Sequence, residues 1–378
     1  MHTDIYEKLA KHLDELPAGF PRTDNGAEMR ILQRLFTPEE AELALHVSLI
    51  EERARVIARR AGKPLAETSR LLEEMETKGL VFAYRRRGRE PRYQAVGYII
   101  GLLEFQVNRL DGDLVRDIED YTPQWFNLET WRKAPQLRTI PVGKSITFEN
   151  KILPYEQADE IVRKEDTFAV ASCICRREQE IEGHRCDKPI ETCLLLGDAA
   201  KYYIRNELGR PAGREEVLDI LRLANKTGLV LQPGNAKKPS NICTCCGCCC
   251  GVLRNIKHHP KPATIVATPC VVNFDASLCN SCTICETRSQ MDAIQIEEGR
   301  VTVEKDRCIG CGLCVSTCAE NALTLVRKPK KEQSPVPRNV VDTNIRLGRA
   351  RGTLSIGKMV RMFVKSRIDR LLSSRRED

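Results

Sequence analysis

Eighteen cysteines stand in this 378-residue chain, all between Cys173 and Cys318, and many follow one another at one-, two- or three-residue spacings. Thiolates set this close can share one metal, whereas a disulfide framework belongs to short secreted chains. Cys308, Cys311, Cys314 and Cys318 have the CxxCxxCxxxC spacing that wraps a cubane, because three near thiolates reach three corners of one cluster. An internal repeat sets CNSCTICETRSQMDAIQI at 279–296 against CIGCGLCVSTCAENALTL at 308–325, an offset of 29 residues. In two-cluster ferredoxins the fourth cysteine of each run ligates the other cluster, so Cys279, Cys282, Cys285 and Cys318 are expected to hold one 4Fe-4S cluster. Cys308, Cys311 and Cys314 are expected at the other, whose fourth position falls on Ser289. Three readings stay open there: a 3Fe-4S cluster, a 4Fe-4S cluster with Ser289 or water on the odd iron, or completion by another thiol such as Cys270.

The remaining metal candidates are Cys173, Cys175, Cys186 and Cys193, then Cys243, Cys245, Cys246, Cys248, Cys249 and Cys250 in CTCCGCCC. Six thiolates within eight residues would repel one another and oxidise readily without a metal. One or two further 4Fe-4S clusters are expected on this set. The alternative is one or two four-cysteine zinc sites, since CxC and CC spacings match neither pattern cleanly. Cys270 reads as a small buried hydrophobe, and His184, His258 and His259 as surface residues.

The motifs CICRREQEIEGHRCDKPIETC, ICTCCGCCCGVLR and RCIGCGLC, behind an N-terminal helical segment, resemble the anaerobe-type 4Fe-4S dicluster proteins over most of residues 20–328. The resemblance implies cluster-based electron transfer. That family usually has cysteine where this chain has Ser289.

The elements that must position these residues read as an α+β, multidomain chain. Residues 1–110 have a winged-helix pattern: a capping box at Thr37-Pro38-Glu39-Glu40, helices over Ile50–Arg60 and Ala66–Lys78, and strands LVFAY and RYQAVGYII joined by RRRGREP. Residues 111–154 are a connecting segment, 155–265 a helical cysteine-rich domain, and 266–328 the dicluster ferredoxin domain. A linker spans 329–343, and 344–378 form a basic tail.

The formal charge of +8 is concentrated in that tail, where ten Lys or Arg face three acids. Ile356, Val360, Phe363, Val364, Ile368 and Leu371 recur there at helical spacing among Lys358, Arg361, Lys365 and Arg370, a basic amphipathic helix suited to an anionic membrane surface or an acidic partner. The competing expectation is a helix folded back on the protein's own core. The charged N-terminus lacks a signal-peptide pattern, so the expected location is cytoplasmic, or peripheral at the inner face of the membrane. Glu67, Glu73, Glu74 and Glu76 outweigh Arg70 and Lys78 on the third helix, so nucleic acid is not expected as a partner despite the basic wing. No nucleophile triad or phosphate loop appears, and the expected role is an electron carrier between redox partner proteins. An iron-sulfur redox-sensing DNA-binding regulator and an electron-transfer subunit of a larger oxidoreductase are the alternatives.

Overall fold

The computed structural model describes residues 2–146, 152–184 and 186–374, which fall into two compact units: Met1–Phe126 with Asn344–Asp378, and Asn127–Thr343. In the first unit the capping box forms as the residue types require. Thr37 Oγ1 accepts from Glu40 N at 3.2 Å, Glu40 accepts from Thr37 N at 2.8 Å, and Pro38–Ala44 is helical. The expected Ile50–Arg60 helix starts only at Ala54, because Glu52–Arg53 pair with the strand Arg92–Gln94. Leu65–Thr77 is the third helix, and Phe82–Tyr84 completes a three-stranded antiparallel sheet. The strand expected over RYQAVGYII is confined to Arg92–Gln94. From Tyr98 the chain leaves the strand in an irregular turn, with Ile100 at φ 50°, and the Tyr98 ring packs edge-on against Phe20, Tyr121 and Trp125.

Residues 111–154, expected as a connecting segment, divide between the units. Gly112–Trp125 is a helix capped by Asp111, and Arg30 ties it to Ala27–Leu35 through Asp117 at 2.6 Å and Asp120 at 2.8 Å. Asn127 onward belongs to the second unit, and 147–151 lie outside the described residues.

The tail helix, Ile356–Ser374, folds back onto the first unit with its polar side inward. Ser366 donates to Glu52 at 2.7 Å, Asp369 accepts from Arg59 at 3.0 Å and Arg60 at 3.1 Å, and Arg60 also grips Glu52 with two bonds of 2.9 Å. Burial alone would raise the Glu52 carboxyl, but the bonds from Arg60 and Ser366 outweigh it and hold the group below its ordinary range. Removing one partner strands a buried charge. Arg60→Ala is therefore expected to cost the first unit about 3 kcal/mol, read as weakened amide-exchange protection of both helices. Because the folded value of Glu52 lies below its unfolded one of 4.5, its contribution holds above that value and is lost as pH falls through the folded one. Protection of the tail helix should decline in acid and not in base.

The second unit corrects the expectation of a helical cysteine-rich domain. Its centre is an antiparallel five-stranded sheet in the spatial order Arg210–Ala212, Phe168–Ser172, Glu191–Leu196, Asn241–Cys245, Val230–Pro233. These strands are short, and metal-directed cysteines break the alternation that would reveal them. Arg214–Thr227 is helical as expected, with Gly228 left-handed at its end. In the ferredoxin region Cys270–Phe274 pairs with Leu323–Arg327, and Ile294–Glu297 with Arg300–Val303, around a core of Val272, Ala293, Ile294, Val301 and Leu323. The extended stretch after Leu137 joins sheet to ferredoxin: Ile140 N donates to Leu231 O at 3.1 Å, and Val142 N to Cys311 O at 2.9 Å.

Candidate metal centres

Antiparallel pairing carries Cys173, just past one strand, to the same end of the sheet as Cys193 and the Cys243–Cys245 segment, since Ala171 lies opposite Cys193 and Leu194 opposite Ile242. The loop after Cys245 then folds back into a helix, Gly251–Lys257, with Cys250 at its start. The ten cysteines separate into two groups there. Cys173, Cys175, Cys250, Cys245, Cys243 and Cys193 form, in that order, a chain in which each thiol is within hydrogen-bonding reach of the next, and among the described residues no three of them share the mutual 4.8 Å spacing of ligands to one ion. Cys243 is driven well down, accepting from Cys193 and Cys245, and Cys250 likewise, accepting from Cys175 and Cys245. The donors Cys175 and Cys245 are pushed well up. Asn241 Nδ2 donates to Cys243 Sγ at 3.4 Å and Gln232 Nε2 to Cys245 Sγ at 3.3 Å, contacts of the type that tune cluster potentials.

The second group is Cys186, Cys246, Cys248 and Cys249, whose sulfurs all lie within 4.8 Å of one another. Cys186 is 3.9 Å from Cys246 and 3.8 Å from Cys248, and Cys248 is 3.6 Å from Cys249. A hydrogen bond from Cys249, aided by the Arg176 charge, pulls the Cys246 thiol down to about 4 against its burial.

Arg176 tests whether metal-bound thiolates fit. It is 3% exposed, donates to Pro189 O at 2.7 Å, Thr192 Oγ1 at 2.8 Å and Thr244 O at 2.5 Å, and its Nε has no partner. Among the described residues no carboxylate pairs with it. The negative groups beside it are Cys173, Cys246 and Cys245, which raise its pKa despite burial. Arg138, as buried and bonded to two carbonyls, is lowered to about 10 by burial, so what sets Arg176 apart is the thiols beside it, whose negative charge metal binding would make lasting.

In the ferredoxin region Cys285 lies among Cys282, Cys279 and Cys318, the expected crossed set. These residues are exposed or half-buried, with Leu278 and Ile284, each 50% exposed, beside them. Cys308, Cys311 and Cys314 instead line a pocket together with Ser289 and Arg288. Burial pushes Cys311 up to about 12 and Cys314 well up. Ser289 Oγ accepts from Ala293 N at 2.8 Å. Cys270 is fully buried, is pushed up to about 12 chiefly by burial, and is not among the cavity's lining residues. Gly310, at φ +65°, sits so close to the Cys270 carbonyl that a Cβ would collide with it, which lets the cysteine loop pass over the strand. The donor set of three thiols and one hydroxyl fits a cluster with one weakly held iron.

The two cysteine regions touch through residues the sequence reading passed over. Gly247 N donates to Gln290 Oε1 at 2.8 Å, and the Gln290 carbonyl leaves no room for a Cβ at Gly247. Arg288 donates to Asn225 O and Lys226 O at the end of the Arg214–Thr227 helix, and Ser316 Oγ donates to Asn225 Oδ1 at 2.9 Å. Arg176 carried one sequence signal, its place directly after CxC. Gln290 and Arg288 carried none. His184, His258 and His259 do not join either group of cysteines among the described residues.

Residues 300–323 match the 4Fe-4S binding domain family. Over 82 residues the chain is 33% identical to YsaA of Escherichia coli (strain K12), a protein named for a proposed role in electron transport. That match covers 22% of this chain and 46% of the relative, so the chain spans about half the length of the curated protein it matches. No solved structure matches. With the grouped cysteines, these matches support a ferredoxin-type iron-sulfur protein.

The hydroxyl at position 289 makes a direct prediction. After brief exposure to air the protein should lose about one iron per chain, and Ser289→Cys should retain it, because only the variant offers a fourth thiolate. Iron analysis before and after oxidation checks this.

Proposed function

We propose that the protein relays electrons between redox partner proteins through iron-sulfur clusters held at three places in the second unit: the Cys279, Cys282, Cys285 and Cys318 set, the Cys308, Cys311 and Cys314 set with Ser289, and the six-thiol group. Bound there, clusters of the 4Fe-4S type, the second one 3Fe-4S after losing its odd iron, would supply one-electron redox chemistry at low potential. The observation that carries the reading is the Gly247–Gln290 contact, which joins the cysteine block to the segment lining the second set. The protein's own part is to fix distance, burial and hydrogen bonding. The set beside Leu278 and Ile284, with Cys282 exposed, suits contact with a partner, the set around buried Cys308 is less open, and Arg176 with Asn241 and Gln232 offsets sulfur charge in the six-thiol group. Whether the carrier acts alone or as a subunit, the same three places serve.

The test is iron and acid-labile sulfide per chain after anaerobic purification. About eleven to twelve irons are expected. A value of seven or eight would confine clusters to the ferredoxin region and end the role of the middle cysteines in the path.

The order helix, strand, two helices and a two-stranded return in residues 38–94 supports the winged-helix reading, but its charges disfavour the regulator. Glu67, Glu73 and Glu74 face solvent on the third helix with side chains 45%, 58% and 46% exposed, and wing Arg85 is engaged by Glu76 at 2.7 Å. The tail supports a peripheral position at an anionic membrane surface. With Ser366, Asp369 and Ser373 turned inward, Ile356, Val360, Phe363, Val364, Ile368 and Leu371 are 49–66% exposed, flanked by Lys358, Arg361, Lys365 and Arg370. Arg370 also joins Arg53, Arg55 and Arg92 around a cleft of about 200 Å³, which Glu51 lines too and where Arg53 and Arg55 pair with Glu90. Among the described residues no helix is long and apolar enough to cross a membrane. Full-length protein is expected to float with phosphatidylglycerol vesicles, and a Val360→Glu, Phe363→Glu double variant to stay behind. Equal flotation of both would remove the membrane from the proposal.

A further inference from the structure

We infer that Cys186, Cys246, Cys248 and Cys249 form a single-ion site that binds zinc, separate from the clusters of the relay. The sulfurs stand at single-ion spacing. Four thiolates placed tetrahedrally around one zinc at Zn–S about 2.3 Å lie about 3.8 Å from each other. The separations here are 3.9, 3.8 and 3.6 Å, and every pair falls within 4.8 Å. A cubane spreads its thiolates over four different irons, which sets them farther apart than ligands of one ion. The four sulfurs therefore enclose room for an atom and not for a cluster.

The surroundings suit a closed, charged ion. Cys246 and Cys249 are buried, Cys186 is half-buried and Cys248 is exposed, so the ion would sit at the rim of the domain. Four thiolates around a divalent ion leave a double negative charge. Arg176 lies against Cys246 without an acid of its own, and the Cys249 amide also bonds Cys246. Binding zinc displaces whatever protons the four thiols still hold, with no change in oxidation state.

Its place in the chain gives the site a purpose. Cys186 is 60 residues from Cys246, so the ion clamps the loop before the Glu191–Leu196 strand to the cysteine block. Within that block, membership alternates: Cys245 and Cys250 belong to the six-thiol group, while Cys246, Cys248 and Cys249 between them hold the zinc. Fixing the middle three thus orients the outer two toward the redox site.

Zinc, iron and sulfide measured on anaerobically purified full-length chain test this, with Cys248→Ser chosen because Cys248 is exposed, and Cys175→Ser as the contrast. The expected result is about one zinc per chain, lost in Cys248→Ser while most iron and sulfide remain, and kept in Cys175→Ser while about four irons go. Loss of about four irons with their sulfide from Cys248→Ser would overturn the inference, as would one iron without sulfide in place of zinc. Cobalt exchanged into the wild-type chain should give the visible bands of tetrahedral cobalt-thiolate, and their absence would likewise overturn it. The iron count of the ferredoxin region and six-thiol group is read on the same samples, so a failure here leaves the relay proposal separately judged.

Discussion

Ten thiols gathered at one end of a small sheet are a problem of charge before they are a site. As thiols they are weak hydrogen-bonding groups; as thiolates in a half-buried pocket they repel, and each loses hydration that the interior does not return. The second unit sets a buried cation beside them. Arg176 follows the Cys173–Cys175 pair, and its guanidinium is held by the carbonyls of Pro189 and Thr244 and the hydroxyl of Thr192. Those bonds fix where the charge stands and leave it uncancelled, facing cysteines of both groups. The strand order depends on the same point, because only antiparallel neighbours return Cys173, Cys193 and Cys243 to one end.

The ferredoxin region solves a milder version of the same problem. Its thiols are shared between two sets of different exposure, and left-handed glycines at 310 and 312 let the loop turn closely around the inner set. Gln290 and Arg288 then fasten that region to the cysteine block and to the Arg214–Thr227 helix, so cysteine groups far apart in sequence are tied together by hydrogen bonds. Electron transfer falls steeply with separation, and backbone-level contact between the holders is what keeps separation constant.

The first unit uses ion pairing for a different end. Its tail helix docks through Glu52, Arg60, Asp369 and Ser366, leaving its apolar row outside. An apolar face buried against its own unit would have hidden the surface; a polar lock displays it.

How much of this was legible beforehand follows the range of each interaction. The nearness of Cys285 to Cys279, Cys282 and Cys318, the capping box at Thr37 and the helix ending at Gly228 follow from local spacing and residue type. The sheet under the middle cysteines escaped, because strands of three to six residues built around metal-directed cysteines show no clean period. The tail's amphipathic helix was readable, but not which face it buries: apolar spacing defines two faces, and the choice rests on Glu52 and Arg60, some 310 residues away. By itself, the sequence determined that this chain gathers thiolates for metal and repeats a cluster-binding loop, since adjacent cysteines can do little else. Only the tertiary structure decided that ten of them divide into six and four, because sulfur-to-sulfur distance is a property of the fold.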